Sequence, residues 1–343
     1  MGAVIVVLFA LGIALLAVAT AGDHAVAGED RPGVFGWATG LVAFALGARH
    51  AFDADHIAAI DNTTRMLAAH GKRPLAVGFF FSLGHSTIVF AMAVVLGLGI
   101  ATFNDQIKDD KSTLHWITGV LGPTISGLFL VIIAAINVLV TVAMVRVLRQ
   151  MRAGSFDESR FAAELAKRGL LSRAFGKLAA RIDASWKIYP LGLLFGLGFD
   201  TATEVALLVL SGAAVLGGLP WWAVLSLPLL FAAGICLFDT IDGVLMNFAY
   251  GWAFVNPARK VYYNVVITVM SVVIALIVGM VQLMSVLADN LGWASPFLAW
   301  FESLEFLGYA IVATLIATWL IALVVWRVGR FDERFRIDPP RPA

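Results

Sequence analysis

Long apolar runs dominate this chain and dictate its fold class before any other feature does. Eight of them cover about residues 2–20, 34–61, 75–100, 115–145, 188–217, 220–250, 262–288 and 303–326. Crossing the hydrocarbon core of a bilayer takes a helix of roughly 20 apolar residues, and these runs are long enough. In that core every backbone donor and acceptor must be satisfied internally, which leaves only helices and closed barrels. A barrel would read as short alternating segments, and none is visible. Charged residues make up 14% of the chain, against about 25% in a soluble domain. The expected fold is an all-α integral membrane protein with eight transmembrane helices, forming one transmembrane domain over residues 1–343. The N-terminal run lacks the basic flank of a signal peptide and exceeds its usual apolar length of roughly 7–15 residues, so it reads as the first span.

Lys and Arg set the orientation. With the N-terminus inside, the inner segments 62–74, 146–187, 251–260 and 327–343 carry 3, 10, 2 and 5 basic residues, while the outer segments carry only Arg31, Lys108 and Lys111. Both termini are therefore expected in the cytoplasm, with the chain in the cytoplasmic (inner) membrane. Segment 146–187 has helical spacing with basic and apolar faces, as expected of an amphipathic cytoplasmic loop lying on the inner leaflet between spans four and five. Cys236 is the single cysteine, which excludes an internal disulfide or a thiolate cluster. No GxxxxGK(S/T) or GxGxxG motif occurs, so no nucleotide engine and no obligate ATPase partner is implied. The lipid bilayer is the one partner the composition demands, and nothing points to nucleic acid.

Against this background the stretch RHAFDADHIAAIDNTTR, residues 49–65, is out of place. Asp53, Asp55, Asp61, Asp200, Glu204, Asp239 and Asp242 all fall within spans, and Arg49 is the only permanent cation counted among them. An ionised carboxylate at the bilayer centre costs about 2.5–3.5 kcal/mol on insertion scales, so such groups face a cavity and a partner. The chain supplies too little positive charge of its own. Either several acids carry protons, or the missing charge is a transported cation. At about 100° per residue, His50, Asp53 and His56 form one stripe, at about 0°, −60° and −120°, and Asp55 points away at about 140°. A straight helix cannot aim all four at one ion. Span two is either broken here, as transporter helices are near substrate, or Asp55 serves a neighbour such as Arg49.

Other spans add FSLGHSTIVF with His85, GLGFDTATE with Asp200 and Glu204, and CLFDTIDG with Asp239 and Asp242. Gly84 and Ser86 allow close helix approach, which would bring His85 towards span two. A lone histidine in an apolar helix is ordinarily structural, and paired acids serve equally as helix–helix glue or a proton relay. Two histidines and two aspartates within seven residues are harder to explain that way. Imidazole with carboxylate suits zinc, nickel, cobalt, iron or manganese, and the lack of thiolates argues against Cu(I).

At RHAFDADHI the chain resembles the nickel/cobalt transporter family of secondary metal permeases, whose span-two signature reads here as His50, Asp55 and His56. LGHST, LGFDTATE and LFDTIDG resemble that family's further blocks, in order. The resemblance implies import of Ni²⁺ or Co²⁺ as transported substrate, with no cofactor, and gives His50, Asp55 and His56 the central role. It favours Asp55, where the helical projection favours Asp53. The site expected from both readings is His50, Asp53, Asp55, His56, His85, Asp200, Glu204, Asp239 and Asp242. The alternatives are efflux of the same metals or proton-coupled transport of another solute. An enzyme is not expected: there is no HExxH, and Ser86 cannot face its neighbour His85 within a helix.

Overall fold

A computed structural model describes residues 1–21, 35–69, 72–98, 113–152, 183–198, 202–216, 219–254, 257–293, 295–302, 304 and 306–328. All regular structure among these residues is helical. In chain order the helices are α1 (Gly2–Ala21), α2 (Trp37–His50), α3 (Ala54–Ala69), α4 (Val77–Gly97), α5 (Thr113–Arg152), α6 (Tyr189–Phe195), α7 (Ala202–Leu216), α8 (Trp221–Val224), α9 (Ser226–Phe254), α10 (Pro257–Leu291), α11 (Pro296–Glu302) and α12 (Leu307–Val328). A 3₁₀ turn, Ser185–Ile188, leads into α6.

Six helical stretches are long and apolar enough to cross a membrane: Gly2–Ala21, Val77–Leu96, Gly119–Val138, Trp221–Ala249, Thr268–Leu291 and Leu307–Val325. The second and fifth apolar runs of the sequence are each divided between two shorter helices, α2 with α3 and α6 with α7. The expected distortion of span two is thus a true interruption. Helix α2 stops at His50, Phe52 and Asp53 turn back to bond the carbonyls of Arg49 and His50 (2.9 Å each), and α3 starts at Ala54. The amphipathic segment expected over 146–187 lies mostly outside the described residues; α5 carries its first part as far as Arg152.

Helix α9 is the centre of the bundle, with 67% of its apolar window buried against 17% for α1 and 18% for α12. It packs on α1, α2, α3 and α4. Small residues bring the backbones together, as expected where lipid offers no hydrophobic drive between helices. Gly47 of α2 and Gly234 of α9 each face the other helix's backbone, and Gly127 of α5 and Gly279 of α10 do the same. Each interruption is held by a glycine from a remote helix. Gly308 of α12 presses on the Phe52 carbonyl, and Gly122 of α5 presses on Gly198, just after α6. Phe52 also stacks on Tyr309, with ring centroids 4.5 Å apart.

The basic residues need one correction. Arg65, counted from the sequence as part of a cytoplasmic loop, lies within α3 and is only 5% exposed. Its guanidinium donates to Thr268 and to Asn62, both at 3.0 Å. Arg49 is therefore not the only permanent cation inside the bundle.

A methyl group at Gly308 has no room, whereas one at Gly119 meets nothing within 4 Å. Alanine is intrinsically the better helix former by about 1 kcal/mol, and overpacking costs about 1–3 kcal/mol. Gly308→Ala is therefore expected to lower the melting temperature of the purified protein in detergent, and Gly119→Ala to hold or raise it. Equal melting temperatures would contradict the tight seat at Phe52.

Candidate metal centre

The interruptions bring their chain ends together. Helices α2 and α6 run into the centre of the bundle by their C-terminal ends, which carry partial negative charge and suit a cation. Helices α3 and α7 start there, and each has an acid in its first turn, Asp55 and Glu204. Such acids offset the positive end of a helix. Asp55 Oδ1 accepts the His56 backbone N–H at 2.9 Å.

His50, His56 and His85 are all nearly fully buried, at 1%, 1% and 2% exposure. Each offers a ring nitrogen, and the three nitrogens lie within 4.8 Å of one another. His50 Nε2 is 2.9 Å from His85 Nε2, which in turn is 2.7 Å from Glu204 Oε1. Glu204 is itself fully buried. Two nitrogens at such a distance share one proton or one cation between them, since each neutral ring has a single N–H. Phe81 stands edge-on to His56 at 4.8 Å, and Phe231 lies 5.7 Å from His50. Apolar rings thus pack against the imidazoles, which strengthens the charge interactions they make.

Behind the imidazoles stand groups that fix their orientation. Asp53 Oδ2 approaches His50 Nδ1 to 2.7 Å, off the hydrogen-bond direction, and Thr203 Oγ1 lies 3.0 Å from the same nitrogen. His56 Nδ1 is 3.3 Å from Asp239 Oδ2. In both rings this leaves Nε2 for the centre. Carboxylate–histidine pairs of this kind set the tautomer and raise ligand basicity.

Asp55 occupies a different place. It lines a small cavity together with His50, His56, His85 and Glu204, whose interior of about 20 Å³ is room for one water or ion. Asp55 Oδ2 accepts bonds from Ser126 Oγ (3.1 Å) and Gln282 Nε2 (3.2 Å). The projection onto a straight helix put Asp53 nearer the site because it assumed an unbroken turn from 50 to 56. The break at 51–53 swings Asp55 into the cavity and leaves Asp53 behind His50.

Of the nine residues expected from sequence, seven stand around the cavity or one shell behind it. Asp242 lies one turn farther along α9, half-buried with both carboxylate oxygens covered, and does not line the cavity. Asp200 falls outside the described residues. The histidine on α4 reaches the site by another route than expected: Gly84 packs on the Tyr189 carbonyl of α6, and not on span two, and His85 then projects towards His50. Sequence reading passed over Ser126, Gln282 and Thr203. Gln282 had a signal, as an amide inside an otherwise apolar run, and Thr203 sits within the FDTATE block itself.

Buried imidazoles and carboxylates gathered where two membrane helices are interrupted define a multi-pass membrane protein built around an intramembrane cation site. Comparison with known proteins narrows the class. The NicO family, described as high-affinity nickel-transport protein, matches residues 36–325, and the chain belongs to that family. It is 54% identical over 309 residues to the nickel transporter NicT of Mycobacterium tuberculosis, covering 90% of this chain and 83% of that one. With the nickel transporter NixA of Staphylococcus aureus it shares 46% over 312 residues, 90% of each chain. With the cobalt transport protein NhlF of Rhodococcus rhodochrous it shares 43% over 324 residues, 93% and 89% of the two chains. No solved structure matches.

The geometry separates residues that line the cavity from residues that stand behind its imidazoles. Glu204→Gln and His56→Ala are expected to abolish the tight phase of Ni²⁺ binding by purified protein in calorimetric titration. Asp239→Asn is expected to weaken it by about 10–100-fold without abolishing it. Equal losses in all three would remove the distinction.

Proposed function

We propose that this protein is a secondary permease that imports Ni²⁺, Co²⁺ or both across the cytoplasmic membrane, and that it is not an enzyme. The observation that carries this reading is the burial of three imidazoles and Glu204 around one small cavity at the meeting of two helix interruptions. A nitrogen and oxygen donor set without thiolate suits borderline divalent metals. Relatives named for nickel and for cobalt transport support the same substrate class.

The proposed site comprises His50, His56, His85 and Glu204 around the ion, Asp55 at the cavity wall, and Asp53 and Asp239 behind the imidazoles. Asp200, in the same block as Glu204, completes it; Asp242, also expected at the site from the sequence, lies one turn beyond Asp239 and outside this set of ligands. The proposed topology has eight spans, six continuous and two interrupted, with both termini in the cytoplasm and residues 146–187 as the cytoplasmic loop of a single transmembrane domain. It is supported by the distribution of Lys and Arg.

Import then proceeds by exchange of ligands. The hydrated ion sheds water as Asp55, Glu204 and the imidazoles replace it, and the fixed carboxylates offset its charge in an apolar surround. Alternating exposure of the cavity, by movement of the interrupted helices against their neighbours, releases the ion on the other side. A membrane potential of 100 mV, negative inside, favours entry by about 2.3 kcal/mol per charge, or about 4.6 for a divalent ion. No partner is required beyond the cation and the bilayer.

Uptake of radiolabelled nickel by cells expressing the chain tests this directly. Uptake is expected to vanish with His56→Ala and to be inhibited by excess Co²⁺ more than by Zn²⁺ or Mn²⁺. Membrane-inserted protein that takes up no metal would overturn import and leave efflux or another solute.

A further inference from the structure

Beyond the histidine cluster, α3 and α9 carry a second group of acids that the ligand exchange above does not use. Asp61 lies five residues after His56 on α3, and Asp242 lies three after Asp239 on α9. At about 1.5 Å of rise per residue these are roughly 7.5 and 4.5 Å farther along their helices. Under the proposed orientation both helices run inward, so both acids are displaced towards the cytoplasm. They meet at one level: a Cβ on Gly243 would stand 3.6 Å from Ile60 Cγ2, so the residues next to Asp242 and Asp61 are in contact.

Asp242 is the informative member. Both of its carboxylate oxygens expose less than 1 Å² and have no hydrogen-bond partner among the described residues. The charges acting on it are the carboxylates of Asp239 and Asp61, which repel it. Asp61, 2% exposed, accepts a bond from Ser271 Oγ at 2.6 Å. A buried carboxylate with neither a donor nor a cation is costly, and here it faces a second acid. One turn farther along α3 stands Arg65, held to Asn62 and Thr268, while Asn137 of α5 donates to the same Asn62 oxygen at 2.7 Å. This buried network places a permanent positive charge one turn beyond Asp61 on α3.

We propose that Asp61 and Asp242, with the Ser271 hydroxyl beside them, form a second, all-oxygen cation station on the cytoplasmic side of the histidine cluster, through which the ion passes before release. The proposal rests on the metal-import reading and its orientation. It divides the labour between two sites. Imidazoles select a borderline metal, whereas carboxylate and hydroxyl oxygens hold divalent ions with less preference and suit Mn²⁺ as well. A path needs binding firm enough to admit the ion and weak enough, or shared over enough sites, to let it leave. Arg65 then acts as a positioning residue: its charge repels an ion that has reached Asp61 until α3 parts from α5 and α10.

The test uses full-length protein in nanodiscs and in proteoliposomes, with Ni²⁺ and Mn²⁺ as probes. Wild-type protein loaded with one equivalent of Ni²⁺ is expected to bind one further Mn²⁺, seen as loss of the free Mn²⁺ signal in electron paramagnetic resonance. His56→Ala should lose the tight Ni²⁺ site and keep only the weaker binding at the carboxylates, which Ni²⁺ and Mn²⁺ share; Asp242→Asn and Asp61→Asn should keep the tight Ni²⁺ site and lose Mn²⁺ binding. In proteoliposomes the two Asn variants should take up Ni²⁺ at least about tenfold more slowly while their Ni²⁺ dissociation constants stay near that of wild type, which also reports that they are folded. Absence of Mn²⁺ binding to Ni²⁺-loaded wild type would overturn the second station, and this arm needs no variant. Loss of Ni²⁺ affinity in both Asn variants, or undiminished uptake in them, would overturn it as well. Ni²⁺ binding of undiminished affinity in His56→Ala would instead overturn the histidine site.

Discussion

The close approach of His50 Nε2 to His85 Nε2 and of His85 to Glu204, all out of reach of solvent, is the contact around which the rest is organised. Nothing in an apolar bundle favours it. Three rings and a carboxylate must be drawn from α2, α3, α4 and α7, stripped of water, and held without a permanent positive charge among them. Such a cluster is bearable only where a cation visits and where the surrounding helices leave the groups nowhere else to go. A divalent metal of borderline character meets both conditions, because it replaces repulsion among acceptors with bonds to all of them.

Helix interruption makes the cluster possible. A continuous span two would send His50 and Asp55 to different sides. Ending α2 at His50 and restarting at Ala54 turns both towards one cavity, and the C-terminal end of α2 adds partial negative charge where the ion sits. Polar backbone freed in a membrane must be re-satisfied or buried in protein. Here Phe52 and Asp53 bond back to α2, and α12 covers the break through Gly308 and Tyr309. On the other side α5 closes over Gly198 through Gly122. Helices far from the metal ligands in sequence are thus structural parts of the site. Interruptions of this kind also divide the second and fifth apolar runs each into two shorter helices.

A sequence of graded environments follows along α3 and α9. At the level of His56 and Asp239 the donors are nitrogen and oxygen; at Asp61 and Asp242 they are oxygen alone; at Arg65 the charge changes sign. Ligand softness and charge therefore both change over a few helical turns.

Much of this was legible in the chain itself. Apolar length fixed the class of fold, because the hydrocarbon core admits few kinds of secondary structure. The cost of charge in that core singled out the acids Asp53, Asp55, Asp61, Asp200, Glu204, Asp239 and Asp242 before any coordinates, and the crowding of His50 and His56 beside two of them pointed to a metal. Impossible geometry on a straight helix left two readings, a broken span two or an Asp55 turned to a neighbour, and the folded chain has the break. The sequence could not say on which side of the break each acid falls, since that depends on how three irregular residues turn; this is why the projection preferred Asp53 and the folded chain places Asp55 in the cavity. Nor could it show Gly84 seated against Tyr189, Arg65 drawn inside the bundle, or Ser126 and Gln282 meeting at Asp55. Those are contacts between residues tens to hundreds of positions apart. A residue's type and its spacing from near neighbours dictate what it costs to bury; only the packing of helices decides which partner meets that cost.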